Sequence, residues 1–513
     1  MPTVDFSIFL HTHMPYVRRN GDWPCGEQWI LEAWAESYLP IWSLVEDLTS
    51  GDLPGKLALT LVPVLAEQLQ DEYLQKRLAS YLKNRIRQAG EEIERLKGMG
   101  DEPRAALAAL HRDRLSQLSE QFEERWNGRM LEVLKEGMDS GRVEILTSAA
   151  THSQLPSLGS SACRRAQIKL GIESYRHYFQ RDPCGLWIPE CSYIPELDEV
   201  LEEFSPPLRY VILDFGAVES SPENAHTWEP RRLGSTSLLV LMRDLVAHNL
   251  VWTIEGIPSH PYYRDYAKRD EAGYGHGFHY WRITSLTTPL DHKDIYNPQK
   301  AYEQAQDDAR IFVSGVRKRK ARIQELMGSH DSPAVMLAGY DTELLGHWWL
   351  EGPLWLREVL LLLHGDIELP CDIVQKALLG DTPTLSPSLT TWSLQGDFTT
   401  WVNPNTAAIW ERVHRAEEDF LARIQAVSDK TPEELRVLLQ AARELILTEA
   451  SDWTYMITQE RAEDYARERV EIHLDRLYRL LQMLEQAEID TSLLDELEET
   501  DNIFPYLDLA YWR

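Results

Sequence analysis

The chain has 513 residues, 43% hydrophobic and 26% charged. This is ordinary globular usage that argues against a disordered, collagen-like or coiled-coil protein and leaves room for about three domains or one large barrel with additions. Acidic residues outnumber basic ones 82 to 52, a formal charge of −30 with no Lys/Arg-rich block to offset it, so nucleic acids and anionic membranes are expected to be excluded as partners and a neutral polymer or small molecule fits better.

The first residues, MPTVDFSIFLHTHMPYVRR, place Asp5, His11 and His13 inside their apolar stretch and lack a basic start, so they do not read as a signal peptide. No apolar run approaches the roughly 18 residues of a membrane span. Five cysteines without paired spacing (Cys25, Cys163, Cys184, Cys191, Cys371) suit reduced thiols in a cytoplasm, with no disulfide framework and no CxxC metal site expected.

Short β-like runs are predicted at 4–13, 56–63, 143–152, 185–190, 209–215 and 334–341, with helical stretches between them. Strand and helix alternating over more than 300 residues predict a parallel α/β sheet or barrel. The segment 75–140 carries apolar residues at helical spacing among Glu, Arg and Lys and is predicted to be a helical insertion between two barrel strands. Beyond residue 375 a Pro/Thr/Ser/Trp loop, 381–405, leads to amphipathic helices near 405–428, 431–449 and 458–487. The expected division is a catalytic barrel over 1–375 and a helical C-terminal domain over 376–513 that lends its Trp-rich loop to the cleft.

The polar residues with chemical potential fall at the C-terminal ends of these strands, where barrel enzymes place their chemistry. His11 and His13 alternate on the first strand, so their imidazoles can converge. His152 ends the third strand and could supply another, which keeps a zinc-dependent deacetylase among the readings. Glu190, in LWIPECSY, and Asp341, in GYDTELLGHWWLEG, end two further strands. Two carboxylates facing across one barrel mouth are what retaining glycoside hydrolysis needs, one ionised and one protonated. Seventeen tryptophans include Trp23, Trp187, Trp281, Trp392 and Trp401 beside these motifs. Most buried tryptophans are core, but Trp392 and Trp401 lie in a polar loop, where a flat apolar face suits stacking on sugar rings.

HTHMPYV, VEILTSAATHSQLP, GLWIPECSY, GYDTELLGHWWLEG and TTWSLQGDFTTWVNP follow in order the five sequence regions of glycoside hydrolase family 57, and the chain most resembles its α-1,4-glucan branching enzymes. ESYLPIW, GIPSHPYYRDY, SDWTYM and DNIFPYLDLAYW extend the resemblance over almost the whole length. The resemblance implies an α/β fold, an incomplete (β/α)7 TIM-like barrel with a helical insertion and an all-α C-terminal domain. It implies Glu190 as nucleophile and Asp341 as general acid/base. His11, His13, His152, Trp23, Trp187, Trp228, Arg243, Trp281, Trp392 and Trp401 are implied as substrate-binding residues. The implied partner is an amylose- or glycogen-like α-1,4-glucan, with no metal or other cofactor, and a monomer is compatible with the acidic surface.

Three features depart from the branching pattern. The loop implied over the site, about 216–240, has no tyrosine, since none lies between Tyr210 and Tyr262; Trp228 is the candidate replacement. Ser393 follows Trp392 where that pattern has a glycine, and 270–284 is shorter than expected. An α-glucan hydrolase and a glucan-binding protein of weak activity therefore stand as alternatives.

Overall fold

The computed structural model describes residues 3–223, 225–270, 277–328, 332–426, 430–485 and 489–513. Its strands are β1 (Val4–Thr12), β2 (Leu57–Leu61), β3 (Val143–Ser148), β4 (Gly185–Trp187), β5 (Tyr210–Leu213), β6 (Arg231–Leu233), β7 (Leu239–Met242), β8 (Ala334–Asp341) and β9 (Thr384–Leu385). They form one sheet in the order β8-β1-β2-β3-β4-β5-β7-β6-β9. Only the β6–β7 pair is antiparallel. A parallel bridge between Arg243 and Leu337, with Asp244 N–H donating to the Leu337 carbonyl at 2.8 Å, brings β7 back to β8. Seven parallel strands thus curl into the predicted (β/α)7 barrel.

Such strands are covered on both faces and read as apolar runs. Eight of the nine β1 residues are buried. Phe6, Ile8 and Leu10 face the surrounding helices, whereas Phe9 joins Ala58, Leu146, Trp187, Tyr210, Ile212, Leu239, Leu241, Val335 and Leu337 inside the barrel. All seven parallel strands contribute to this plug, which the C-terminal strand ends sit upon. Phe9 fits because its register partner on β8 is Gly339; a Cβ there would lie 2.3 Å from the Phe9 ring. Phe9→Ala is expected to cost about 3–5 kcal/mol through the cavity it leaves, seen as a lower thermal unfolding midpoint. An unchanged midpoint would show the plug to be dispensable.

Helices Glu72–Gly98 and Glu102–Glu120 form an antiparallel hairpin, each started by an aspartate, Asp71 or Asp101, whose carboxylate caps a backbone N–H. Met130–Asp139, within the segment read as insertion, instead packs on Leu39–Ser50 and leads into β3. The last part of the chain forms helices Ala407–Ala426, Pro432–Thr448, Ser451–Thr458, Glu463–Met483 and Thr491–Thr500. Their apolar faces, including Phe420, Leu438, Leu445, Trp453 and Leu477, share one buried cluster with Tyr16, Val62, Ala166 and Ile188 of the barrel half.

The cysteine reading is corrected in one respect: Cys184, just before β4, is disulfide-bonded to Cys371 of helix Pro370–Ala377. The partners are 187 residues apart in sequence; the helix reaches β4 beside β3, where the Cys371 N–H donates to Glu144 at 2.8 Å. Cys25, Cys163 and Cys191 are free. No helix among the described residues is long and apolar enough to cross a membrane.

Candidate active site

The C-terminal ends of β8, β1, β3 and β4 bring Asp341, His11, His152 and Glu190 to one mouth. His11 and Asp341 are register partners on adjacent strands. Glu190 sits in the turn Pro189–Cys191 with φ 59° and ψ 17°, and Cys191 follows at φ 49°. Two consecutive non-glycine residues in the left-handed region cost about 1–3 kcal/mol each and persist only where surroundings enforce them. Here the 390–392 segment does so. The Thr391 hydroxyl and the Trp392 backbone N–H both donate to the Glu190 carbonyl at 2.9 Å, and Tyr193 pairs with Thr390. The Trp392 indole N–H then donates to Glu190 Oε2 at 2.5 Å.

The histidines stack. Ring centroids lie 4.0 Å apart for His13 and His152, and 5.0 Å for His11 and His152. Each is tied to a different partner: His11 Nδ1 to the Thr60 hydroxyl at 2.7 Å, His13 Nε2 to Asp452 at 2.9 Å, and His152 Nδ1 to the Ser451 hydroxyl at 3.0 Å. His152 Nδ1 is also 3.6 Å from Glu190 Oε1. Among the described residues the three imidazoles do not form a group whose donor atoms all lie within 4.8 Å of one another, so they do not present one focus to a zinc ion. Burial, reinforced by neighbouring imidazoles, holds His11 and His152 well below the usual histidine range, so both are neutral hydrogen-bonding groups.

Burial pushes Glu190 up to about 8, against the pull of the Trp392 indole, with the charges of Asp452 and Asp341 adding to the rise. Burial pushes Asp341 up to about 6, moderated by Arg243 and His13. Each thus stands above the ordinary carboxylate range, and the pair retains one proton at neutral pH. Arg243 is fixed by two hydrogen bonds to Asp214 Oδ1, at 2.8 and 2.5 Å, and lies over the Trp392 ring at 4.9 Å. Beneath them Trp187 stacks on His11 at 4.9 Å and meets Trp392 at 5.0 Å.

Of the predicted sugar-binding residues, His11, His13, His152, Arg243 and Trp392 gather around the carboxylates. Others need correction. Trp187 is fully buried and forms the floor, so it has no free face for a sugar. Trp401 is 1% exposed, and its carbonyl accepts from the Trp410 indole and the Thr406 hydroxyl. It packs inside the segment that carries Trp392. Trp228 lies at the wrong end of the barrel. Its carbonyl accepts from Val335 N–H, near the start of β8, about 20 Å along that strand from Asp341. Its ring is stacked on His226 and covered by Arg319. The segment read as a cover divides in two: Gly216–Glu219 forms a short helix directly after β5, with Ser220 and Ser221 accepting the backbone N–H groups of Ser388 and Ser386, whereas the part from 231 onward forms β6 and the start of β7 rather than a loop above the mouth. Trp281 has its ring under Lys268 at 4.4 Å and near Arg104 of the helical hairpin at 5.8 Å. Trp23 is exposed beside the turn at 21–26.

The residues missed are Asp452 and Ser451, which hold the histidines, and Glu343, which accepts the Tyr38 hydroxyl at 2.5 Å and is pushed up to about 8 by burial. Asp452 stands 439 positions from His13; only the motif SDWTYM marked its neighbourhood. Trp252, at the end of helix Leu245–Val251, and Trp348, in the segment after β8, are each 38% exposed and form an aromatic pair with ring centroids 6.1 Å apart.

The sequence model of Glycosyl hydrolase family 57 matches residues 7–273, and that of the 1,4-alpha-glucan branching enzyme C-terminal region matches 412–512. A 1,4-alpha-glucan branching enzyme of Thermococcus kodakarensis is 34% identical over 97% of this chain and 77% of its own. The crystal structure of a GH57-type branching enzyme from Pyrococcus horikoshii superposes with a TM-score of 0.91 at 32% identity, covering all of this chain and 97% of that one. The α-amylase AmyC of Thermotoga maritima gives 0.87 at 26% identity, over 99% of each chain.

Proposed function

The chain belongs to glycosyl hydrolase family 57, and from that membership we propose that it is a 1,4-alpha-glucan branching enzyme working by double displacement. Glu190 attacks the anomeric carbon of an α-1,4-glucan while Asp341 protonates the departing oxygen, leaving a β-linked glycosyl-enzyme. Asp341 then takes the proton from a glucose 6-hydroxyl of a second chain, and the new bond is an α-1,6 branch. The observation that carries this reading is the half-buried carboxyls of Glu190 and Asp341 at one mouth, each feeling the other's charge or that of its neighbours, with an indole N–H fixed on Glu190 Oε2. That N–H can only donate, so it favours the ionised carboxylate that attack requires. The first displacement uses the form of the pair in which Glu190 is ionised and Asp341 holds the proton.

The His13–Asp452 and His152–Ser451 pairs orient donors toward sugar hydroxyls, and Trp392 offers the face for the ring at the point of cleavage. The exposed Trp252–Trp348 pair extends that surface. A storage-glucan role in the cytoplasm, by a monomer, accords with this substrate. A hydrolytic reading is favoured by one observation, the position of Trp228 far from the mouth. Without an aromatic from 216–240 above the site, water competes with the acceptor hydroxyl.

Amylose incubated with the protein separates the two. Branching lowers iodine colour with few new reducing ends and yields short chains on debranching. Hydrolysis raises reducing ends in step with the colour loss.

The pH profile tests the pair. Below its lower macroscopic pKa both carboxyls are protonated and no nucleophile exists; above the upper one both are ionised and no acid remains. With groups pushed up to about 6 and about 8, kcat/KM should be bell-shaped with limbs near those values. A rate flat from about pH 5 to 9 would refute the shared proton.

A further inference from the structure

Among the described residues three clusters of donor side chains lie away from the catalytic mouth, each with ligand atoms within 4.8 Å of one another. Glu144 with Cys184 and Cys371 has its sulfurs joined to each other. Glu444, His473 and Asp501 are already neutralised, since Arg476 bonds Asp501 and His473 donates to Glu444 at 2.8 Å. The third, Cys163 with Glu417 and Glu449, is different.

Its members come from three places: Cys163 from helix Ser161–Phe179 of the barrel, Glu417 from helix Ala407–Ala426, and Glu449 from the end of Pro432–Thr448. None is more than 1% exposed. Glu417 accepts the Gly159 N–H through Oε1 and Glu449 accepts the Gln167 amide through Oε2. The other oxygens, Glu417 Oε2 and Glu449 Oε1, have no fixed N–H or hydroxyl donor, and the Cys163 thiol faces both carboxylates. Among the described residues neither glutamate forms an ion pair with Lys, Arg or His. Arg164, whose charge Glu417 feels, donates its N–H groups to the carbonyls of Leu155, Pro156 and Leu158. Two carboxylates buried side by side without a cation are costly. Either a proton or a metal ion must sit between them.

We propose that Cys163, Glu417 and Glu449 form a structural site for a divalent d-block cation of the zinc class. A thiolate with two carboxylates suits zinc, whose bonds to sulfur and oxygen of about 2.3 and 2.0–2.2 Å allow ligand atoms spaced like these. The soft sulfur disfavours magnesium and calcium. Deprotonated, the three side chains bring three negative charges, and the ion neutralises two of them. The site joins the barrel to the C-terminal helices directly behind the mouth. Glu449 is followed by Ala450, which pairs with Ser153, and by Ser451 and Asp452, which hold His152 and His13. Gln167 links Glu449 to the backbone N–H of Thr151, next to His152.

The test is metal content, independent of any glucan assay. Tag-free full-length protein, stripped with a chelator and reloaded with Co2+, should hold about one ion per chain and show a near-ultraviolet thiolate-to-cobalt band. Cys163→Ser should remove the band and Glu449→Gln should lower the cobalt content at least about tenfold, while Cys25→Ser, a control, keeps both. If the Cys163 variant does not fold, X-ray absorption on the loaded wild-type chain must show one sulfur neighbour among oxygens. No cobalt uptake, a band that survives Cys163→Ser, or a sulfur-free shell would each overturn the site in favour of a proton shared by the two glutamates.

Discussion

Glu190→Gln is expected to lower glucan turnover at least about 10^4-fold, on the scale seen when an enzyme loses its nucleophile, and to leave glucan binding nearly unchanged. The substitution keeps the side chain's volume, and the amide oxygen can still accept the Trp392 indole N–H that lies 2.5 Å from Oε2. The left-handed turn at φ 59° is held by the Glu190 carbonyl rather than its side chain, so the backbone should not move. What disappears is the anion that forms the bond to the anomeric carbon. Turnover measured by debranched chain release, beside calorimetric binding of a maltooligosaccharide, separates the two effects. Activity within tenfold of wild type would take the nucleophile's role away from Glu190.

Asp341→Ala is expected to lower kcat on amylose by about 10^2–10^4-fold, the usual worth of a positioned acid/base, but much less on an α-maltosyl fluoride. Fluoride leaves without protonation, so the first displacement proceeds and the glycosyl-enzyme waits for an acceptor that Asp341 can no longer deprotonate. Azide needs no base and should restore turnover, giving an α-glycosyl azide through two inversions. The same anion added to a nucleophile-less variant attacks the α-fluoride directly and gives the β product. A β-azide from the Asp341 variant would reverse the assigned roles, and no rescue at all would mean that Asp341 acts only in binding.

The barrel was legible because β1, β2, β3, β4, β5 and β8 are apolar runs separated by helical periodicity, and the chemistry-bearing residues stand at their ends. β7 was not. Its first two residues, Leu239 and Val240, lie at the end of the stretch read as a cover over the site, and nothing local distinguishes a buried strand from an apolar loop. The same blindness misplaced Trp228. A sequence orders residues along a connection but does not say where the connection turns from the top of β5 to the bottom of β7. Trp401 and Trp187 were read for their aromatic surface, which burial hides. Glu190, Asp341 and the three histidines could be picked out one by one. Their tethers could not, because Ser451, Asp452 and Thr391 come from the far end of the chain and meet the barrel only in three dimensions.

The strained turn at Glu190 is clamped by 390–392, and two of the three histidines are gripped by 451–452. Chopping the chain near residue 380 would therefore not give a slimmer catalyst with altered specificity. It would free the nucleophile's backbone to relax and leave the imidazoles unanchored. Chimaeras between relatives should inherit both tethers from one parent, since barrel and helical cap have one reaction centre between them.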